Sequence, residues 1–260
     1  METLTRPPLP QLITLPTQDQ LPSDDGVPME TQRHKMQADL LIDVLYPWLE
    51  QRDNGYVGGN MFVYFSTAQL KNEDFKGPDF FAVLGVAKQE RKSWVVWEEE
   101  KAPDVVIELL SESTANYDKT EKKQTYQDKL RVPEYFWYDP FNPEDLAGFV
   151  LVDGIYQPIE LNEQGWLVSK RLELTLVRWK GEYRGVNTVW LRWANLEGEI
   201  LPNASELAAA AQQKAELAQQ ELKLAQQEIQ LAQQDAQTIQ QKADKLAAKL
   251  RELGIDPESV

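Results

Sequence analysis

The segment DVVIELLS (104–111) constrains the fold more than any other part of the chain, because it is apolar on both sides of a strand. Side chains alternate along a strand, so Val105 and Ile107 face one way while Val106 faces the other. Such a strand is typical of the centre of a sheet that is covered on both faces. Glu108 lies within it, where an unpaired carboxylate costs several kcal/mol. The segment therefore predicts a layered α/β fold in which a cation or hydrogen-bond donors satisfy the Glu108 carboxylate.

The segments around this strand predict an alternation of helices and strands. From about Glu30 to Gln51, apolar residues recur at the spacing of an amphipathic helix. Asp118 and Glu121 resemble a capping box at the start of a second helix, which Val132-Pro133 ends. The other strand-like segments are 56–66, 79–86, 93–100 and 134–140. This order predicts an α/β sandwich core.

The sequence divides into four parts. Residues 1–28 are rich in proline and predict a flexible arm, and residues 29–200 predict a globular domain. Within that domain, Asp153-Gly154 is a two-residue turn signal for a β-hairpin, and the short strands that follow are expected to cover one edge of the core. Residues 201–254 predict a coiled coil, and residues 255–260 form a short tail.

The coiled-coil prediction rests on a heptad pattern sustained over seven repeats. Two apolar series with a spacing of seven residues run through the segment, offset by three, as the a and d positions of a coiled coil require. The first series is Ala208, Ala215, Leu222, Ile229, Ala236, Ala243 and Leu250. The second is Ala211, Ala218, Ala225, Ala232, Ile239, Leu246 and Leu253. We expect this helix to bind a second copy of itself or a partner helix; the alternative is a solitary surface helix, because Ala and Gln favour helix without a partner.

Composition excludes several kinds of chemistry. The 260 residues include no cysteine, so thiolate nucleophiles and Cys-based zinc sites are excluded. The single histidine, His34, argues against multi-histidine metal sites and Ser-His-Asp hydrolysis. The formal net charge of −15 counts against an extended DNA-binding face, but not against a small local one. No apolar run is long enough to span a membrane, and the first residues do not resemble a signal peptide. We expect a cytoplasmic protein without a membrane partner.

The acidic residues predict a metal site between two strands. Asp104 and Glu108 are about 13 Å apart along one strand and cannot hold one ion together. If segment 79–86 runs antiparallel beside 104–111, Asp79 falls near Glu108, and the two carboxylates can share a divalent cation. Oxygen ligands without histidine or thiolate select Mg²⁺ or Mn²⁺. Asp104 is either a supporting residue or a turn residue.

A lysine on the second helix completes the predicted site. Helical spacing aligns Asp118, Lys122 and Tyr126 on one face, whereas Lys119 and Lys123 share another. Lys122 is therefore the candidate for stabilising negative charge during phosphodiester hydrolysis. Tyr126 is interpreted as a packing residue with a hydroxyl that can reach the site. Glu30 and His34, four residues apart on the first helix, are further candidates for a supporting role, with an exposed helix start as the alternative.

Across residues 30–180 the sequence resembles the Uma2 family, which is regarded as a family of endonucleases and is common in cyanobacteria. The resemblance is carried by GPDFF (77–81), by PDVVIELLS (103–111) with Ser113-Thr114, Asp118 and Glu121-Lys122 before Tyr126, and by VPEYFWYDP (132–140). It implies a restriction-endonuclease-like PD-(D/E)XK core, with a mixed central sheet flanked by helices.

The resemblance also implies roles for residues. Asp79 would be the first metal carboxylate and Glu108 the second. The parent pattern has a lysine two residues after the second carboxylate, but this chain has Leu110 there. The resemblance to the Uma2 family implies that the lysine comes instead from the following helix, and Lys122 matches that position.

Two functions from different classes follow. The first is an Mg²⁺-dependent endonuclease that hydrolyses DNA and acts as a homodimer or higher homo-oligomer. The second is a non-catalytic interaction protein, whose nuclease-like core is degenerate and whose coiled coil assembles it with itself or a partner. The acidic charge, the displaced lysine and the long heptad pattern motivate the second.

Overall fold

The computed structural model describes residues 15–23, 31–66 and 75–254. They form two compact units, which divide between Ala204 and Ser205. Glu30, the tail 255–260 and most of the predicted arm 1–28 lie outside the described residues.

The first unit is built from twelve described strands and three helical segments. In chain order they are α1 (Gln32–Glu50), β1 (Tyr56–Gly58), β2 (Val63–Tyr64), β3 (Phe75–Lys76), β4 (Phe80–Val83), β5 (Trp94–Val95), α2 (Val96–Glu99), β6 (Val105–Leu109), a helix over 115–130 that we call the site helix, β7 (Glu134–Tyr138), β8 (Leu146–Val152), β9 (Ile155–Ile159), β10 (Leu167–Ser169), β11 (Leu174–Tyr183) and β12 (Val186–Ala194).

A six-stranded sheet forms the centre of this unit, with the order β1-β4-β6-β7-β8-β9. β6 and β7 are parallel, while the other described pairs in the sheet are antiparallel. All five residues of β6 are buried, because the strand has neighbours on both sides and cover on both faces. The α/β class and the mixed central sheet predicted from the sequence are confirmed.

The two faces of the central sheet have different covers. On one face, Phe80 and Ile107 belong to a cluster with apolar residues of α1, β11 and β12. On the other face, Phe81 and Val106 pack with Tyr126 and other side chains of the site helix region. Because side chains alternate along β6, Glu108 lies on the same face as Val106, toward the site helix.

Two of the strand predictions are wrong in detail. Segment 56–66 is not one strand: β1 belongs to the central sheet, whereas β2 pairs with β3 and β5 in a separate three-stranded sheet. Segment 93–100 continues as a strand only through Val95 and then turns into α2. Glu98 and Glu99 lie in the first turn of α2, where carboxylates are stabilised by the helix dipole.

The predicted helix start at Asp118 is also wrong. The site helix begins at Ala115, with Thr114 at its N-cap, so Asp118 lies inside the helix. Tertiary packing overrides the capping pattern here, because the Asp118 side chain is buried. The helix alternates α turns, Ala115–Tyr117 and Lys123–Thr125, with π turns, Asp118–Lys122 and Tyr126–Leu130. Such π turns are frequent near functional sites.

The hairpin after Gly148 is confirmed. Asp153 and Gly154 both have positive φ, 51° and 86°, and connect β8 to β9 in the predicted two-residue turn. The later strands form the sheet β10-β11-β12. They were expected along an edge of the core, but their side chains share a cluster with α1 and one face of the central sheet. The Gln37 side chain joins α1 to β12 through hydrogen bonds with the Leu191 main chain.

Part of the predicted arm is bound to the domain. Residues 15–23 lie against β2, β5 and α2, where the indole of Trp97 donates to the Pro16 carbonyl at 2.9 Å. The Tyr64 hydroxyl donates to the Pro22 carbonyl at 2.7 Å. Further main-chain to side-chain hydrogen bonds join Gln18 to Glu98 and to Lys92. At these residues the chain is therefore attached rather than a free arm.

The second unit is dominated by one helix, Ala204–Glu252, which we call the C-terminal helix. Its 49 residues correspond to a length of about 74 Å. None of them is buried within the described chain. The helices in the described ranges do not combine the length and apolar character that crossing a bilayer requires.

Candidate active site

Asp79 and Glu108 meet across two antiparallel strands. Phe80 of β4 pairs with Ile107 of β6, so the residues just outside this pair, Asp79 and Glu108, come next in register. The Asp79 carboxylate accepts a hydrogen bond of 2.8 Å from the Leu109 N–H, and it lies close enough to Glu108 for each carboxyl group to affect the pKa of the other. The structure thus brings together the two carboxylates that strand spacing had paired.

Glu108 is fully buried between a tyrosine and a lysine of the site helix. The Tyr126 hydroxyl donates to Glu108 Oε1 at 2.7 Å, and Lys122 Nζ lies 2.7 Å from Oε2. Burial raises the pKa of Glu108 to about 8; the Lys122 ammonium opposes this rise, while Asp79 adds to it. Burial likewise raises the pKa of Asp79. A second positive charge at this place would relieve both carboxylates.

Lys122 is surrounded by oxygen atoms. Besides Glu108, its Nζ lies 3.3 Å from Asp118 Oδ1 and 3.5 Å from the Gly77 carbonyl. Burial alone would lower the pKa of Lys122, but the Glu108 and Asp118 carboxylates outweigh it, so the pKa is raised. The lysine therefore stays charged at neutral pH and points at the carboxylate pair.

The neighbouring lysines face elsewhere, as the helical spacing predicted. Lys119 Nζ lies 2.5 Å from Asp145 Oδ2. Lys123 Nζ lies 3.3 Å from the centre of the Phe149 ring. Of these three lysines, Lys122 alone has an ion pair with Glu108 among the described residues.

Asp118 is a site residue whose part the sequence analysis missed. It had been interpreted as a helix cap, although it shares a helical face with Lys122. The structure turns its side chain inward, with 3% exposure, and the Tyr135 hydroxyl donates to its main-chain carbonyl at 2.8 Å. The signal available in the sequence was the spacing of four residues between Asp118, Lys122 and Tyr126.

Asp104 lies apart from the carboxylate pair, at the opposite end of β6. It accepts a hydrogen bond of 2.8 Å from the Leu84 N–H, and it forms ion pairs with Lys101, at 2.8 Å, and with Arg171. Although burial opposes it, hydrogen bonds from Lys101 and Arg171 hold the pKa of Asp104 below its usual value. These contacts join the start of β6 to its neighbours and give Asp104 a structural role in the described chain.

His34 approaches the site through the main chain. Its Nε2 lies 2.8 Å from the Leu110 carbonyl, two residues beyond Glu108, and its Nδ1 lies 2.8 Å from Thr31 Oγ1. The ring is buried and does not contact the carboxylates in these hydrogen bonds. Glu30, its proposed companion, is outside the described residues.

A glycine next to β1 allows the chain to pass close to Asp79. A Cβ atom on Gly59 would lie 2.2 Å from the Asp79 carbonyl oxygen and 2.8 Å from Ile42 Cδ1. Asn60, the next residue, donates its N–H to the Pro78 carbonyl at 2.9 Å. The loop therefore supports the segment that carries Asp79, a role that the Gly58-Gly59 pair could have indicated.

The donor set at this place suits a divalent cation with oxygen ligands. Asp79 and Glu108 offer two adjacent carboxylates in a buried setting, and Mg²⁺ commonly binds one or two carboxylates while water and phosphate oxygens complete its shell. In the described ranges, no group of three or more His, Asp or Glu side chains is arranged to hold a metal ion. A cation here would thus rely on non-protein oxygens for part of its shell.

Comparison with models of known protein families identifies the family of this chain. The Uma2 family model, described as "Putative restriction endonuclease", matches residues 18–179. The chain belongs to the Uma2 family.

A solved structure from Anabaena variabilis ATCC 29413, titled as a "putative nuclease belonging to DUF820", is also similar. It is 15% identical, with coverage of 60% of this chain and 90% of that one and a TM-score of 0.41. No curated protein matches the chain.

Proposed function

We propose that this protein is a Mg²⁺-dependent endonuclease that hydrolyses DNA phosphodiester bonds. The observation that carries the proposal is the buried cluster of Asp79, Glu108 and Lys122, which two strands and the site helix bring together. Membership of a family described as restriction endonucleases supports the reaction class. Mn²⁺ would be an alternative ion, because it also accepts carboxylate and water oxygens.

Each residue has a separate role in this proposal. Asp79 and Glu108 would hold the cation, which when bound polarises a phosphoryl oxygen and lowers the pKa of a coordinated water. Lys122, whose charge is held in place by Glu108 and Asp118, stabilises the negative charge that develops on the phosphate oxygens. The Tyr126 hydroxyl and the Leu109 N–H orient Glu108 and Asp79 respectively.

The experiment is cleavage of supercoiled plasmid DNA in Mg²⁺ or Mn²⁺. Glu108→Ala should lower the cleavage rate by about 100-fold or more, as expected for loss of a group that acts on the transition state. Glu112→Gln is the matched control, because Glu112 is an exposed acid four residues further along the chain.

Circular dichroism must show that both variants are folded. Metal-dependent cleavage by folded Glu108→Ala at the rate of the unchanged protein would contradict the proposal. Calorimetric titration of Mg²⁺ adds a second readout: binding should be seen with the unchanged protein and lost in Glu108→Ala.

A second candidate is a non-catalytic interaction protein. Leu110, fully buried, occupies the position where the parent nuclease pattern has its lysine. The C-terminal helix exposes a long apolar seam, which consists of the a and d residues of its seven heptads. In this function the helix assembles the protein while the site is inactive. Absence of both Mg²⁺ binding and DNA cleavage, together with a mass of two or more chains that is lost on deletion of residues 204–253, would favour it.

A further inference from the structure

The C-terminal helix exposes a seam that the rest of the described chain does not cover. Five of the six large apolar residues of the seam are between 58% and 75% exposed, for example Ile229 at 58% and Leu253 at 75%, and the sixth, Leu250, is half-buried. A strip about 10 Å wide along about 70 Å corresponds to roughly 700 Å² per helix, or roughly 1,400 Å² in a pair. Stable interfaces bury about 1,200–2,000 Å² in total, so the seam is large enough for one.

The residues beside the seam distinguish possible partners. At the e positions the chain has glutamine in five successive heptads, at Gln212, Gln219, Gln226, Gln233 and Gln240. At the g positions it has charged residues, at Lys214, Glu221, Glu228, Asp235, Lys242 and Lys249. The e and g positions flank the seam and determine partner and orientation through the pairs that they form.

These flanks suit a second copy of the same helix in parallel orientation. In a parallel pair each g residue faces the e residue of the next heptad, so Lys214 meets Gln219 of the second chain and Glu228 meets Gln233. Every charged residue at g then meets a neutral residue, and no like charges oppose each other across the seam.

An antiparallel pair with aligned ends is less favourable. It brings g residues opposite g residues, so that Lys214 meets Lys249 and Glu228 meets Asp235. Opposite charges meet only where Glu221 faces Lys242. Like charges placed across an interface disfavour that arrangement.

We propose that the C-terminal helix pairs with the same helix of a second copy, parallel and in register, through the a and d positions. The occupant of the seam is therefore another chain of this protein. Both domains of the pair are joined to the same, N-terminal end of the helices, because residue 203 precedes the helix in each chain. The pairing itself does not depend on nuclease activity.

Disulfide cross-linking of the full chain tests the orientation, and the absence of native cysteine makes the result simple to interpret. Ala211→Cys and Leu250→Cys place a thiol at a d position and at an a position near the two ends of the helix. In a parallel pair, each single variant forms a disulfide with its own copy on oxidation. In an antiparallel pair with aligned ends, a positions pack against d positions, so only a mixture of the two variants cross-links, from residue 211 to residue 250. That outcome would overturn the proposal.

A matched pair of charge substitutions tests the seam. Ile229 and Leu231 are similarly exposed, at 58% and 62%, but only Ile229 belongs to the seam. Ile229→Asp should lower the sedimentation mass from two chains to one at micromolar concentration, whereas Leu231→Asp should leave it at two. A single-chain mass for the unchanged protein, or equal effects of the two variants, would contradict the proposal.

Discussion

At the scale of single residues, the burial of Glu108 has a consequence for stability. Its pKa is about 8 in the folded protein, against an ordinary value of 4.5, so the folded chain keeps this proton to a higher pH than the unfolded chain does. Stability that depends on the protonated carboxyl is present below pH 4.5 and is lost as the pH rises toward about 8. A bound cation would remove this dependence.

Glu108→Gln should therefore change the pH profile of unfolding in the absence of divalent metal. The glutamine is neutral at every pH, so the free energy of unfolding of the variant should exceed that of the unchanged protein increasingly from pH 5 to 8. The difference is expected to be on the order of a few kcal/mol at the upper end. Urea unfolding in the presence of a chelator measures it, and two parallel profiles would show that Glu108 does not titrate in this way.

Asp118 gives a second prediction at this scale, which rests on the proposed nuclease activity. Asp118→Asn keeps the side-chain shape but removes a charge 3.3 Å from Lys122 Nζ. We expect kcat to fall by about tenfold, the equivalent of roughly 1.4 kcal/mol in the barrier, with little change in affinity for DNA. Glu121→Gln, an exposed acid in the same π turn, is the control. Equal kcat values in the two folded variants would count against a positioning role for Asp118.

At the scale of elements, the loop after β1 limits what can be placed beside Asp79. Gly59→Ala would put a Cβ atom 2.2 Å from the Asp79 carbonyl oxygen, so the loop or the start of β4 must shift. We expect a loss of about 1–3 kcal/mol in the free energy of unfolding, together with weaker Mg²⁺ binding. Denaturant unfolding and calorimetry measure the two effects.

Gly77→Ala serves as the control for this substitution. A Cβ atom there would meet only Phe62 Cδ1 within 4 Å, at 3.8 Å, which is an ordinary contact. If Gly77→Ala and Gly59→Ala had the same effect, steric support of Asp79 by the loop would not be the cause.

The elements also show which parts of the structure the sequence could predict. Local signals predicted β6, the β8–β9 turn and the helical face of Lys122, because residue spacing and turn chemistry act over a few residues. The antiparallel pairing of β4 with β6 was assumed rather than derived; the structure has it, and the proximity of Asp79 to Glu108 follows from it. Two features were not predictable from local patterns: the chain forms α2 within segment 93–100, and β2 belongs to a separate sheet. Both depend on contacts between segments that are distant in the sequence.

The site was predictable to a similar extent. Glu108 is recognisable in the sequence as a charge in an apolar strand, and residue spacing indicates Asp79 and Lys122 as its neighbours. Asp118 was not selected because it had been interpreted as a helix cap, although its spacing of four residues from Lys122 was a local signal. The Gly77 carbonyl was not selected because its contact with Lys122 depends on the packing of the site helix against a distant segment.

At the scale of the whole molecule, the parallel pair and the nuclease proposal together predict how DNA is cut. Two sites joined to one end of a paired helix can act on one duplex, so the unchanged protein should convert supercoiled plasmid to linear DNA with little nicked intermediate. Ile229→Asp should accumulate nicked circles instead, since single chains cut one strand at a time. Leu231→Asp is the control, and gel analysis of a time course measures the products.

The outcomes separate the two proposals. No cleavage by any of the three proteins would contradict the nuclease proposal alone. Cleavage that yields the same products in a demonstrably single-chain Ile229→Asp would show that pairing does not couple the two cuts.

The attachment of residues 15–23 to the domain bears on how the protein can be shortened. A version that begins at residue 29 would leave the Trp97 indole and the Tyr64 hydroxyl without their carbonyl acceptors on Pro16 and Pro22. It would also uncover a small apolar cluster in which Leu21 packs with Phe62, Tyr64 and Val95. We therefore expect a version that begins at residue 29 to be less stable than one that begins at residue 15, as denaturant unfolding of the two would measure.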